Sequence, residues 1–226
     1  MNNKVRPGVV VFPASNCERD IITVLKEVYE LEALPIWHSD EFIGDDITHL
    51  FLPGGFSFGD YLRAGALAAH SPIMRAVKTF AQNGKKILGI CNGFQVLCEA
   101  GLLPGTLLKN SHGRFVCKIT KADYSGMNCS LAPIAIDVAV AHGEGRYFAD
   151  EETLEQLERN QQIILRYQEL DEDNAASING SAHGIAGIVA GIKRNIIGMM
   201  PHPERLAREA MHGRDGCVIL QEFLFG

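Results

Sequence analysis

The sequence has no dense basic run, no long apolar segment and no paired-cysteine spacing, and each absence removes a class of protein. Its 21 Lys plus Arg stand against 27 Asp plus Glu, a formal charge of −6, so no clustered cationic face offers a footprint for a phosphate backbone. Nucleic acid is therefore not an expected partner. The opening MNNKVRPGVVVFP carries only a short apolar run, well below the ~20 residues of a membrane span and followed by no small-residue cleavage pattern. It reads as a first strand, the expected setting is the cytoplasm, and no membrane partner is expected. Six cysteines (Cys17, Cys91, Cys98, Cys117, Cys129, Cys217) are scattered without CxxC spacing and without a secretory signal, which argues against a disulfide framework. Most are expected to be buried thiols, one of them reactive, and no metal site is expected. An internal repeat, a low-complexity linker and a G-x-x-x-x-G-K-[ST] phosphate loop are also missing.

What is present is an ordinary globular composition, 46% hydrophobic and 21% charged over 226 residues. That length suffices for one large α/β domain, and residues 1–226 are expected to form it, although two small domains are compatible with the length alone. Apolar runs at 9–12, 34–37, 50–52 and 87–90 read as short buried strands. Between them, 18–31 and 71–80 have helical period, the second opening at Pro72 and stopping before Gly84. Strands alternating with helices imply an open, mainly parallel sheet with helices on both faces. Past Pro104 the pattern becomes a small antiparallel excursion, with strands at 114–120 and 134–140. A short acidic helix at 151–160 then leads into a strand at 163–167. The polar DEDNAASINGSAHG reads as a loop, 187–193 and 195–200 as a hairpin, and Pro203 onward as helix to near the end.

The stretch LGICNGFQVLCEAG puts Cys91 between Gly89 and Gly93, where a strand gives way to a helix. A nucleophile elbow needs small residues at those two positions to turn tightly and expose the central side chain. The helix N-terminus favours a thiolate, and the N–H of Asn92 points where an oxyanion would form. From this stretch alone, a nucleophile and a thiol packed beside a glycine both remain open. Cys98, further along the same helix on a stripe with Phe94 and Leu97, reads as core.

A nucleophilic thiol needs a proton carrier and a group to orient it. In MMPHPER, His202 follows an apolar strand, Pro203 holds it extended, and Glu204 is near enough to fix its tautomer. Both Cys91 and His202 then stand beyond the carboxyl ends of strands, where ligands of open parallel sheets gather. The bland alternative is a Pro-bounded helix cap. Pro53-Gly54-Gly55 after another strand supplies a further backbone N–H that a ligand can approach.

These residues resemble the class I, or triad, glutamine amidotransferases, whose elbow G-x-C-x-G-x-Q is here Gly89, Cys91, Gly93 and Gln95 and whose P-H-P-E holds His202 and Glu204. FPASNCERD, PGGFSFGDYLRAGA, VAHGEGRY, NGS and GMMPHPER extend the resemblance over nearly the whole chain, and point to the separate glutaminase chains of purine biosynthesis. The resemblance implies glutamine hydrolysis at Cys91 through a glutamyl thioester, with His202 shuttling protons and Glu204 orienting it. Gly55 and Asn92 would be the oxyanion donors, and Gln95, Gly54 and His142 substrate contacts. It also implies no cofactor in this chain. A larger synthetase subunit would hold ATP, Mg²⁺ and formylglycinamide ribonucleotide, which it converts to the amidine, and a small accessory subunit would bridge the two. The partner surface is expected near the Cys91 crevice, including Tyr61, Leu62 and Arg63. Asn16 reads as a helix cap. Ala14, where relatives more often carry glycine, argues against a positive φ there.

Rival readings are an elbow-cysteine hydrolase acting alone, which would not require Gln95 or PHPER, and a scaffold subunit, which would not require an intact Cys91, His202 and Glu204. The third is the glutaminase of another class I amidotransferase; most of those have a fused synthetase domain or different residues around the elbow.

Overall fold

The apolar runs become the strands β1 (Pro7–Val11), β2 (Leu34–Trp37), β3 (His49–Leu52) and β4 (Lys86–Ile90) of a computed structural model, which describes residues 5–128, 132–168, 178–209 and 213–226. All of β3 is buried, as expected of a strand covered on both faces. Helix α1 (Glu18–Tyr29) turns Ile21, Val24 and Leu25 into the core, with Glu18 and Asp20 in its first turn and Lys26 in its last, an order that complements the helix dipole. Helices α2 (Ala66–Ala69) and α3 (Ile73–Gln82) precede β4. Helix α4 (Asn92–Glu99) follows it, buried along most of its length.

The second half contributes β5 (Thr106–Leu108), β6 (Val116–Tyr124), β7 (Ile134–His142), β8 (Arg146–Phe148), α5 (Glu151–Arg159), β9 (Ile163–Tyr167), β10 (Ile185–Ala190), β11 (Ile196–Met199) and α6 (Gly216–Phe225). Helix α5 starts at Asp150, whose carboxylate accepts the Thr153 N–H at 2.8 Å. One nine-stranded sheet runs in the order β2-β1-β3-β4-β11-β10-β9-β6-β7. Its first five members are mutually parallel, whereas β10, β9, β6 and β7 add antiparallel. Strands β5 and β8 pair separately. The expected α/β fold is the one observed, and its apolar residues form one cluster from Val9 to Leu224. Fully burying each Leu or Ile there contributes roughly 1.5–3 kcal/mol.

Three expectations change. The expected hairpin exists, but β11 also pairs in parallel with β4, so it is a central strand that carries the PHPER segment to the middle of the sheet. The helix expected from Pro203 is only a 3₁₀ turn over Pro203–Leu206; Arg208 bridges back to Gly213, and α6 starts afresh at Gly216 and packs on that turn. Half of the loop at 171–184, residues 171–177, lies outside the described residues, and 182–184 form a 3₁₀ turn. Among the described residues no helix is long and apolar enough to cross a membrane, and no group of three His, Cys, Asp or Glu is arranged to hold a metal.

Candidate active site

Cys91 is the single residue between β4 and α4, at φ 50° and ψ −105°. A non-glycine residue held there costs of order 1–3 kcal/mol. The surroundings impose it: the Cys91 N–H donates to the Met199 carbonyl at 2.7 Å, and its own carbonyl accepts from Phe94 N (3.0 Å) and Gln95 N (3.2 Å). Gly93 lets α4 approach this closely, because a Cβ there would collide with the Leu52 carbonyl. The strain turns the buried side chain toward β7, where Sγ lies 3.7 Å from the Ala141 carbonyl. Asn92, first in the helix, has an N–H with no intrahelical acceptor.

His202 leaves β11 with its N–H on the Ala139 carbonyl at 2.8 Å. Its Nδ1 meets Glu204 Oε1 at 2.6 Å, and both side chains are 1% exposed. Nε2 of His202 and Oε2 of Glu204 have no partner of ordinary geometry. Burial pulls the imidazole pKa down, but the Glu204 charge, the Cys91 charge and a looser hydrogen bond to Cys91 outweigh it and raise it to about 10. The ring therefore holds its proton at neutral pH. Gly54 joins the two halves of the arrangement, since a Cβ on it would stand 2.6 Å from His202 Cε1 and 3.3 Å from Cys91 Cβ.

A cavity of about 200 Å³ opens beside Cys91, lined also by Gly55, Phe56, Asp60, Gln95, Phe115, Ala141, His142, Gly143 and Glu144. It is smaller than the ~300–1,000 Å³ of drug-sized ligand sites, and suits a single small metabolite. Gly55 sits at φ 118°. Gly54, Asn92, His202 and Glu204 stand behind the cavity rather than on its wall. The Asn92 side chain is structural: Oδ1 accepts the Ser57 N–H at 3.1 Å, and Nδ2 donates to Asp60 Oδ1 (3.1 Å) and Gln95 Oε1 (2.8 Å). Gln95 Nε2 in turn donates to the Glu144 carbonyl at 2.7 Å, which ties α4 to the loop after β7.

His142 ends β7 and is buried, 3% exposed. Its ring nitrogens meet Asn110 Oδ1 at 3.2 Å and the Tyr167 hydroxyl at 3.5 Å. Burial, with the charge of His202 second, lowers its pKa to about 4, so this ring is neutral. Asn16 does not cap α1, whose N-cap is Cys17 without a side-chain bond; Asn16 packs its N and Oδ1 against Gly55 instead. Ala14 does adopt positive φ, at 63°, because the turn that sets Ser15 against Gly55 requires it. Of the expected partner-surface residues, Tyr61 and Leu62 are 75% and 90% exposed, and Arg63 pairs with Glu99.

Some neighbours of the site escape a reading of motifs. Asp60, half-buried and bonded to Asn92, has its carboxyl pushed up to about 6 by burial first and then by the charge of Glu144. Arg205 donates to Cys17 Sγ at 3.3 Å, and that thiol is pushed up to about 12 by burial and by Glu204, so it stays S–H and donates to Asn16 Oδ1 at 3.2 Å. Their one signal was position: FGD, SNC and PER lie in motifs already quoted.

Comparison with known proteins places the whole chain in a family. The family profile described as CobB/CobQ-like glutamine amidotransferase domain matches residues 4–215. A Salinibacter ruber protein named phosphoribosylformylglycinamidine synthase subunit PurQ is 49% identical over 97% of this chain and 95% of its own length. The protein of the same name from Synechocystis is 48% identical over 94% and 97%. The solved structure of PurLQS from Thermotoga maritima contains a chain that superposes with a TM-score of 0.84 at 38% identity, covering 98% of both. With a cysteine elbow, a buried His–Glu pair and agreement along nearly its whole length, the chain belongs to the CobB/CobQ-like glutamine amidotransferase family and groups with its PurQ members.

Proposed function

We propose that the chain is the glutaminase of a phosphoribosylformylglycinamidine synthase, acting in the cytoplasm as one domain over residues 1–226. The observation that carries the reading is the buried His202–Glu204 pair at 2.6 Å beside a strained Cys91 that opens on a small cavity. The Cys91 sulfur attacks the side-chain carbonyl of glutamine while His202 holds the proton. The oxyanion takes the N–H groups of Gly55 and Asn92. His202 then protonates the departing nitrogen, ammonia leaves, and a glutamyl thioester remains on Cys91. Water, deprotonated by His202, cleaves the thioester to glutamate and restores the sulfur. Glu204 holds the imidazole in position throughout.

Ammonia passes to a larger synthetase subunit that binds ATP, Mg²⁺ and formylglycinamide ribonucleotide and makes the amidine. A small accessory subunit completes the complex, and exposed Tyr61 and Leu62, which follow the cavity-lining Asp60 in the chain, belong to the contact surface. Gln95, Gly54 and His142 shape the glutamine pocket, Gln95 and His142 from its wall and Gly54 from behind Cys91.

The test is Cys91→Ala in the reconstituted complex. Glutamine-dependent amidine formation should fall by roughly 10⁴-fold or more, while formation from added ammonia stays near the wild-type rate. Retained glutamine use would refute the assignment of the nucleophile.

A further inference from the structure

The segments FPASNCERD and GMMPHPER, near opposite ends of the chain, touch through three side chains that the steps at the sulfur do not call on. Arg205 follows Glu204 and donates its backbone N–H to the His202 carbonyl at 3.2 Å, so its backbone moves with the His–Glu turn. Its guanidinium reaches back toward α1, where one nitrogen donates to Cys17 Sγ at 3.3 Å and Nε stands 3.7 Å from Asp20 Oδ2. Cys17, 3% exposed, passes the contact on by donating its S–H to Asn16 Oδ1 at 3.2 Å. That direction needs a thiol, and burial with the charge of Glu204 outweighs Arg205 and keeps it one. Asn16 ends the chain of contacts at Gly55, since a Cβ there would stand 2.6 Å from Asn16 N and 2.8 Å from Asn16 Oδ1. Gly55 has no side chain to hold its φ of 118°, so its neighbours set the direction of its N–H.

The sheet gives no direct tie between these two parts of the site. Gly55 follows β3 and His202 follows β11, and β4 stands between those strands. Oxyanion stabilisation needs its donor placed to within a few tenths of an ångström of where charge develops, so their separation has to be fixed from outside the ladder. Resting on the glutaminase reading above, we propose that Cys17 is a positioning residue, the middle of an Arg205–Cys17–Asn16 bridge that fixes the Gly55 N–H as oxyanion donor relative to the His202–Glu204 turn. A thiol serves both sides of the bridge, since sulfur accepts from the guanidinium while its hydrogen goes to the amide oxygen. Its place behind Gly54 fits the same role: a Cβ on Gly54 would be 3.4 Å from Cys17 Sγ and 2.6 Å from His202 Cε1.

The experiment uses Cys17→Ala, Cys17→Ser and Asn16→Ala in the reconstituted complex; Asn16 is exposed, so its truncation opens no core. Two quantities are read: kcat and KM for glutamine, and the rate at which iodoacetamide alkylates Cys91, followed by the mass of its peptide. Alkylation displaces iodide from a saturated carbon and forms no oxyanion, so it reports the sulfur and His202 but not Gly55. Loss of a whole oxyanion donor costs roughly 10²–10³ in kcat, and a donor left in place but loosened should cost less, roughly 10- to 30-fold in Cys17→Ala and Asn16→Ala. KM and the alkylation rate should stay within about 3-fold, because the lost interaction exists only in the transition state. Cys17→Ser keeps a donor and an acceptor and should recover kcat to within about 3-fold of wild type. The proposal is overturned if Cys17→Ala or Asn16→Ala keeps the wild-type kcat, if the loss lies in KM, if alkylation falls in step with kcat, or if serine does no better than alanine. A wild-type complex that does not hydrolyse glutamine overturns the glutaminase reading, and the proposal with it.

Discussion

Two buried histidines stand near Cys91, and they are in opposite states. His142 at the end of β7 is 3% exposed and His202 after β11 is 1% exposed, yet the first is neutral with a pKa near 4 and the second is held up near 10. Burial acts alike on both and favours the uncharged ring. What differs is the group on Nδ1, an amide oxygen of Asn110 in one case and a carboxylate of Glu204 in the other. A buried ion in contact outweighs desolvation, whereas a neutral dipole does not. The antiparallel half of the sheet thus supplies a neutral ring to the cavity wall, and the parallel half a ring that holds its proton beside the sulfur.

The largest effect should come from erasing the difference at its source. Glu204→Gln keeps the shape but removes the charge and offers either amide end to Nδ1. It should lower kcat for glutamine by roughly 10³–10⁴-fold, the scale seen when a triad carboxylate becomes an amide. The His202 resonance, followed by NMR titration, should move down in pKa toward that of His142. Unchanged activity would mean that Glu204 does not orient the base.

The pH dependence of stability reads the same contrast. Folding stability rises with pH wherever the unfolded chain binds more protons. For His142 the folded pKa lies below the ordinary 6.5, so its contribution is lost as pH falls from 6.5 toward 4. For His202 the folded pKa lies above 6.5, so its contribution is complete below 6.5 and lost as pH rises toward 10. Each slope is at most about 1.4 kcal/mol per pH unit. Urea unfolding of wild type and His202→Gln should therefore converge at alkaline pH, and wild type and His142→Gln at acid pH. Convergence in the same direction for both variants would contradict the opposed charge states.

How much of this was legible in the sequence depended on sequence distance. Strand runs such as 34–37 and 87–90 and the elbow at Gly89, Cys91 and Gly93 are local patterns, and they fall where expected because burial and turn sterics act on neighbouring residues. His202 and Glu204 are two positions apart, so their pairing could be read from spacing. Asn110 is 32 residues from His142, and Asp60 is 32 from Asn92; no local rule joins them. Asn16 was misread because SNCERD resembles a cap, while the approach of Gly55 draws its side chain elsewhere. The 3₁₀ turn after Pro203 was hidden because α6 must fold back onto it, a tertiary demand that overrides helical propensity.

The smallest effect comes from giving His142 the partner that His202 has. Asn110→Asp keeps the oxygen that meets Nδ1 and the Gly145 N–H at 3.2 and 3.1 Å. It loses the amide donor to the carbonyls of Arg114 and His142, at 2.8 and 2.9 Å. Two unsatisfied carbonyls should cost about 1–3 kcal/mol by urea unfolding. Against that loss, the new carboxylate should draw the His142 pKa upward from about 4, measured by NMR at the ring carbons. Since Cys91, His202 and Glu204 are untouched, glutamine hydrolysis should change far less than in Glu204→Gln. If the His142 pKa stayed where it is, a contacting carboxylate would not be what separates the two histidines, and the cause would have to lie in the Cys91 charge that only His202 feels directly.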